Sequence, residues 1–271
     1  MKNTHISIKK RVHFVHKSLL NATNPIEVHL IGAGGTGSQV VTALGRMHHA
    51  LQQLSHAGFC LTLWDDDTIT QANLGRQLFA ETELGLHKST ALISRVNRFF
   101  GTDWKAQHRK FDTDTFSVAS QSMQGSIYIS CVDTAKARFE IAQILTDLKR
   151  PNHYHNTPLY WLDFGNNRHT GQVVLSTIGS HPQPQSEEMI GIENLPFVTD
   201  AFYDFFASAD QNEDTPSCSL ADALLKQDLF INATLSQMGA SLLWNLFRNG
   251  LTDKRGFFLN LQDFRSQPIF V

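Results

Sequence analysis

The segment "IEVHLIGAGGTGS" at residues 26–38 constrains the fold more than any other stretch of the chain. An apolar run of strand character ends in glycines, and residues 36–54 continue with helical character. Gly32, Gly34 and Gly37 stand between the two in GxGxxG spacing. Glycine there permits a tight turn and lets backbone N–H groups approach a phosphate at a helix N-terminus. The pattern argues for a nucleotide but does not choose one: NAD, FAD, ATP and a tight structural turn are all compatible with it.

The rest of the chain repeats the alternation. "FCLTLWD" (59–65) reads as a second strand closing on Asp65, a position from which a carboxylate can hydrogen-bond ribose hydroxyls. "HKSTALISRVNRFF" (87–100) has helical spacing that puts Leu92, Val96 and Phe99 on one stripe. "SIYISCVD" (126–133) is a strand followed by helix-like 134–150, and "LYWLDFG" (159–165) and "GQVVLSTI" (171–178) are two more strands. This order predicts an α/β chain with a Rossmann-like, doubly wound, mostly parallel sheet. "GFFLNL" and "QPIFV" close the chain as strands of an antiparallel C-terminal extension.

Residues 1–271 read as a single domain in which 1–25 form an N-terminal segment. Residues 179–217 carry eight acidic residues, no lysine or arginine, and four prolines, which predicts a long excursion with a short helix near 199–207. The stretch 219–250 reads as one long amphipathic helix or two in series. Ser219 and Asp222 form a capping box there, and Gly250 is the stop.

Bulk properties remove several function classes. A formal charge of -2 gives no electrostatic case for nucleic acid or an anionic membrane. The first twenty residues lack the apolar core of a signal peptide, and no apolar run is long enough to span a bilayer. The three cysteines, Cys60, Cys131 and Cys218, form no CxxC pair, so a reducing cytoplasm is the expected compartment.

Beyond the glycines lies "DDDTITQANLGRQ" (65–77), where three carboxylates are followed within a dozen residues by an arginine. "GAGGTGS" together with this string closely resembles the ThiF/MoeB superfamily, which includes ubiquitin-activating enzymes. The matching residues are Gly32, Gly34, Gly35, Gly37 and Ser38, then Asp65 and Asp67, then Asn73, Leu74, Arg76 and Gln77. Lys88 in "GLHKS", Asp133 in "SCVDTAKAR" and "GQVV" at 171–174 complete the set, and the resemblance covers residues 26–178. The length, the reduced cysteine set and "TPSCSL" resemble one subgroup, the ThiF-related protein of bacterial PRTRC cassettes.

The resemblance implies ATP-dependent adenylation of the C-terminal glycine of a small ubiquitin-like or sulfur-carrier protein. It implies Arg76 and Lys88 as cations on the triphosphate, Asn73 and Gln77 as neutral donors, Asp65 on the ribose and Asp133 on Mg2+. Each residue taken singly has a plainer role: Arg76 pairing with Asp65 or Asp67, Lys88 as a surface cation, Asp133 as the N-cap of the helix at 134. Asp66 reads as a solvated loop residue.

The chain also departs from the family. Many relatives carry zinc on two CxxC pairs, and this chain has none, so no zinc is expected; His153 and His155 in "NHYHN" are read as ordinary loop residues. Relatives bring an arginine from an N-terminal helix, often of the neighbouring subunit, and Arg11 in "KKRVHF" is the candidate here. Cys218 resembles the thioester cysteine of ubiquitin-activating enzymes and precedes a predicted helix N-terminus, where a thiol loses its proton more readily. A homodimer is implied by the family. The competing readings are an NAD(P)-dependent oxidoreductase on the same glycines and a nucleotide-binding interaction module without catalysis.

Overall fold

In the computed structural model, residues 9–148, 157–204 and 227–271 are described. The parallel half of the main sheet is built from β2 (Ile26–Ile31), β3 (Phe59–Trp64), β4 (Lys105–Gln107), β5 (Ile127–Ser130) and β6 (Tyr160–Asn166). The antiparallel half continues from β6 through β7 (Thr170–Thr177), β10 (Lys254–Asn260) and β11 (Arg265–Phe270), giving the order β11-β10-β7-β6-β5-β2-β3-β4. β2 is central and pairs in parallel with β3 on one side and β5 on the other. A strand so placed is covered on both faces, which is why "IEVHLI" is nearly all apolar. Val28, Leu30 and Ile31 are buried with it, as are Leu61 and Leu63 of β3.

Helices α2 (Gly35–Gln53), α3 (Lys88–Phe100), α5 (Ala135–Leu148) and α7 (Ile231–Asn249) cover the sheet, with α7 lying along α2. α3 ends on Gly101 in the left-handed region, the residue type that tolerates φ +70. α7 ends on Gly250 at φ +67 in the same way, the stop expected there. The stripe on α3 differs from expectation at one position. Leu92 and Val96 are buried together with Ile93, but Phe99 is 79% exposed, because the helix's last turn rotates the stripe onto Phe100. Phe100 instead packs against α2, where a Cβ on Gly45 would stand 2.6 Å from its ring.

A second, three-stranded sheet was not anticipated. β1 (Lys10–Phe14) lies between β8 (Met189–Gly191) and β9 (Leu251–Thr252). The excursion at 179–204 is therefore partly structured: β8 pairs with β1, and a short helix, α6 (Val198–Ala201), follows. The rest of the excursion, the proposed capping box at Ser219 and Asp222, and Cys218, His153 and His155 lie outside the described residues. Among the described residues no helix is long and apolar enough to cross a membrane.

Beneath the parallel sheet, His29 of β2 accepts a hydrogen bond from Trp64 Nε1–H at Nδ1 (3.0 Å). Its Nε2–H donates to the Gln124 carbonyl (2.9 Å), so the ring is neutral with its proton on Nε2. Complete burial lowers its pKa from 6.5 to about 4. A histidine whose basicity falls on folding contributes its full stability above pH 6.5 and loses it as pH falls toward 4. That loss amounts to about 3 kcal/mol. Urea titrations of wild type and His29→Gln at pH 7 and pH 4.5 check it: the wild type should lose the larger share, and parallel losses would contradict the assignment.

Candidate functional site

The carboxyl ends of β2, β3, β5 and β6 open into a cleft of about 490 Å³, the edge at which open α/β sheets hold ligands. Its floor and walls include Gly34, Asp65, Arg76, Lys88 and Asp133. Residues far apart in sequence meet there because parallel strands point their C-terminal loops the same way.

The glycines divide by role. Gly32 has φ +94, and a Cβ on it would stand 2.6 Å from the Cys131 carbonyl oxygen. A Cβ on Gly37 would fall 1.9 Å from the Gly32 oxygen, and one on Gly35 would meet the Asn232 amide at 2.6 Å. These three are required by the protein's own packing. Gly34 is different: a Cβ there would meet nothing within 4 Å and would project into the cleft that Gly34 lines. Its bareness leaves room for something outside the chain, at the N-terminus of the 19-residue helix α2.

The acidic string is also sorted. Asp65 Oδ2 accepts the Ala33 N–H (2.6 Å) and Oδ1 the Asp67 N–H (3.0 Å), which leaves lone pairs on both oxygens for a ligand hydroxyl. Burial holds its carboxyl above the ordinary range, against the pull of the Ala33 N–H and of Lys88. Lys88 is no surface cation. It is 7% exposed, and its Nζ donates to Asp67 Oδ2 at 2.7 Å. Arg76 pairs with neither Asp65 nor Asp67; its Nη1 donates to Gln227 Oε1 at 2.7 Å, and its buried Nε has no partner among the described residues. Gln77 lines the cleft, 6% exposed, with Oε1 unpaired among the described residues. Asp66 lines the cleft mouth as an exposed residue.

Asp133 is exposed at the end of β5 and makes no side-chain hydrogen bond among the described residues. The capping contact of α5 is made by Thr134, whose Oγ1 accepts the Ala137 N–H (3.2 Å), so Asp133 is not the N-cap. Beneath it lies a buried ion pair. Arg138 Nε donates to both oxygens of Asp163 (3.2 and 3.1 Å), and its Nη2 donates to the carbonyls of Val132 (2.7 Å) and Phe164 (2.9 Å). Ser130 Oγ donates to Asp163 at 2.5 Å and receives Trp161 Nε1–H at 2.7 Å. Sequence reasoning missed this pair, although an aspartate inside the apolar run "LYWLDFG" was a usable signal, since buried carboxylates are paired.

Three expected site residues stand elsewhere. Asn73 does not line the cleft: its Oδ1 accepts the N–H and hydroxyl of Thr70 and closes a 3-10 turn. Gly37 serves packing within α2, as above. Arg11 lies on β1, opposite Ile190 of β8, exposed and off the cleft of its own chain, because residues 10–14 form a strand and not a helix. Cys131 forms part of the cleft floor, but burial, with Asp163 adding, pushes its thiol well above its ordinary pKa, so it stays protonated and is not a nucleophile. Gln227 and Asn232 line the cleft as well and carried no sequence signal.

Among solved structures, PaaA superposes with a TM-score of 0.59 at 15% identity, covering 94% of this chain and 74% of that one. MccB of E. coli, in a structure with MccA, gives 0.58 at 13% identity, covering 94% and 65%. MccB in a structure with ATP gives 0.57 at 14% identity, with the same coverage. Likeness at such identities speaks to the fold, and the chain spans just under two thirds of MccB. No curated protein sequence matches this chain. A sequence model of the ThiF family matches residues 9–247, and the chain belongs to that family.

Proposed function

We propose that the protein adenylates the C-terminal glycine of a small ubiquitin-like or sulfur-carrier protein with ATP. The observation that carries this reading is the convergence of Arg76, Lys88 and Asp133 on one cleft whose glycine wall, at Gly34, is open to a ligand. ThiF family membership and the likeness to MccB, which has been solved with ATP and with MccA, support it. An oxidoreductase has no use for the Asn73–Gln77 string, and the family assignment leaves that alternative without support.

In the proposed reaction a carboxylate oxygen of the substrate attacks the α-phosphorus of ATP. The bond from that phosphorus to the αβ-bridging oxygen breaks, and pyrophosphate leaves with the electron pair. No proton has to move, so the demand on the protein is positioning and positive charge. Arg76 supplies the uncancelled charge, Lys88 joins it once phosphate displaces Asp67, Asp65 holds the ribose, and the first-turn N–H groups of α2 face the phosphates. Asp133 suits Mg2+, since that ion is held by one or two carboxylates with waters and phosphate oxygens. Among the described residues no group of three or more ligating side chains is preformed. When bound, Mg2+ would neutralise phosphate charge. Arg11 would reach a triphosphate only across a homodimer, which belongs to the proposal, as do a cytoplasmic setting and membership of the PRTRC-cassette subgroup of ThiF-related proteins.

The test is pyrophosphate exchange into ATP, dependent on a glycine-terminated partner; saturable NAD(H) binding without exchange would overturn the reading. Two glycine substitutions separate nucleotide space from folding. Gly34→Ala should unfold within about 0.5 kcal/mol of wild type yet bind Mg-ATP at least tenfold more weakly by calorimetry. Gly37→Ala should lose about 3 kcal/mol or more of stability, because its Cβ meets fixed backbone. Equal ATP affinity in Gly34→Ala would remove the glycine wall from the nucleotide site.

A further inference from the structure

Arg76 and Lys88 are held in different ways. Lys88 is matched by a carboxylate, Asp67, at 2.7 Å. Arg76 is matched by a neutral oxygen, Gln227 Oε1, also at 2.7 Å. That oxygen is fixed by a second donor, Asn232 Nδ2, at 3.0 Å. Asn232 is 2% exposed, and its Oδ1 accepts the Thr36 hydroxyl at 2.8 Å. Ser236, one turn further along α7, donates to the Thr36 carbonyl at 3.1 Å. A relay of carboxamides and hydroxyls thus runs from Arg76 to the first turn of α2 behind the glycine wall. The next residue, Asp228, bonds through its N–H to the Arg168 carbonyl at 2.8 Å, which anchors Gln227 to the β6–β7 turn.

We propose that Gln227, seated by Asn232, is a positioning residue that aims the Arg76 guanidinium into the cleft while leaving its charge uncancelled. The chemistry follows from the type of acceptor. A carboxylate at the same place would hold Arg76 more firmly, because a charge-assisted bidentate pair is stronger than a bond to an amide. It would also cancel the field that Arg76 presents to an anionic ligand, and electrostatic stabilisation works only through charge that is free to act on the transition state. A neutral amide gives orientation without neutralisation. The lone pairs of Gln227 Oε1 go to Arg76 and Asn232, so this side chain cannot rotate without leaving both donors unpaired.

This inference rests on the adenylation reading, and the test separates the two. Wild type, Gln227→Ala and Gln227→Glu are compared by thermal unfolding, by Mg-ATP calorimetry and by partner-dependent pyrophosphate exchange. Gln227→Glu should melt no lower than wild type yet exchange about 100-fold more slowly, the loss expected when one preorganised charge is silenced. Gln227→Ala should exchange about tenfold more slowly, with Arg76 still charged but unaimed. Asn232→Asp places the charge one step further from Arg76 and should fall between them. If Gln227 is only a strut, the glutamate variant will match or exceed wild-type activity, and the proposal is overturned. A wild type that neither binds Mg-ATP nor exchanges pyrophosphate overturns the adenylation reading and this inference with it. Normal wild-type exchange with an unaffected Gln227→Glu overturns this inference alone.

Discussion

Replacing Asp163 with alanine is expected to cost about 3–5 kcal/mol, the penalty for stranding a buried charge, and to be the most destabilising single change at the carboxyl edge of the sheet. Asp163 is fully buried and Arg138 is 4% exposed, so water cannot replace the lost carboxylate. The attraction between the two charges mainly offsets their removal from solvent, so the pair as a whole adds little and each half alone is costly. Asp163→Leu combined with Arg138→Met should therefore recover much of the loss in Asp163→Ala. Urea unfolding of the single and double variants measures both quantities. A single variant within about 1 kcal/mol of wild type would mean that the buried pair is not what the geometry indicates. Arg138 also holds the carbonyls of Val132 and Thr134, which flank Asp133. The double variant should thus regain stability but not the shape of that loop.

What could be read in the sequence was what the chain encodes locally. The β2–α2 turn, the Asp65–Gln77 string and Lys88 each lie within one strand–loop–helix unit, where spacing and residue type act together. The helix stop at Gly250 was local in the same sense. The three-stranded sheet was not, because its strands have two to five residues, too few to show a period. They are joined by contacts such as Ile192 N–H to the Val12 carbonyl, across 180 residues of chain. The place of Arg11 within that sheet had no local signal for the same reason. Phe99 failed through a different cause: a hydrophobic stripe read at fixed spacing drifts by a residue in the last turn, and Phe100 took the core position. Gln227 could not have been found at all, since an amide on the polar side of an amphipathic stretch becomes a functional candidate only when Arg76 arrives beside it.

Asp133→Ala should leave stability nearly unchanged and lower the adenylation rate by about 10²–10³-fold. The two halves of this expectation come from the same observation. Asp133 is exposed, caps nothing and makes no side-chain hydrogen bond among the described residues, so the fold loses no contact when it is removed. A carboxylate that lines the same cleft as Arg76 and Lys88, with a neighbouring threonine doing the capping, is held ready for something outside the chain. Its contribution would then appear only with nucleotide and metal bound, as a loss that higher Mg2+ partly restores, because weaker metal binding shifts the saturation curve. Arg76→Ala should lower the rate by a similar factor without that magnesium dependence, since the guanidinium acts on phosphate directly. Single-turnover rates of both variants across a magnesium titration make the comparison. A wild-type rate in Asp133→Ala at limiting Mg2+ would assign the metal to another carboxylate of the cleft, and Asp112 and Asp114, which also line it, would be the next to replace.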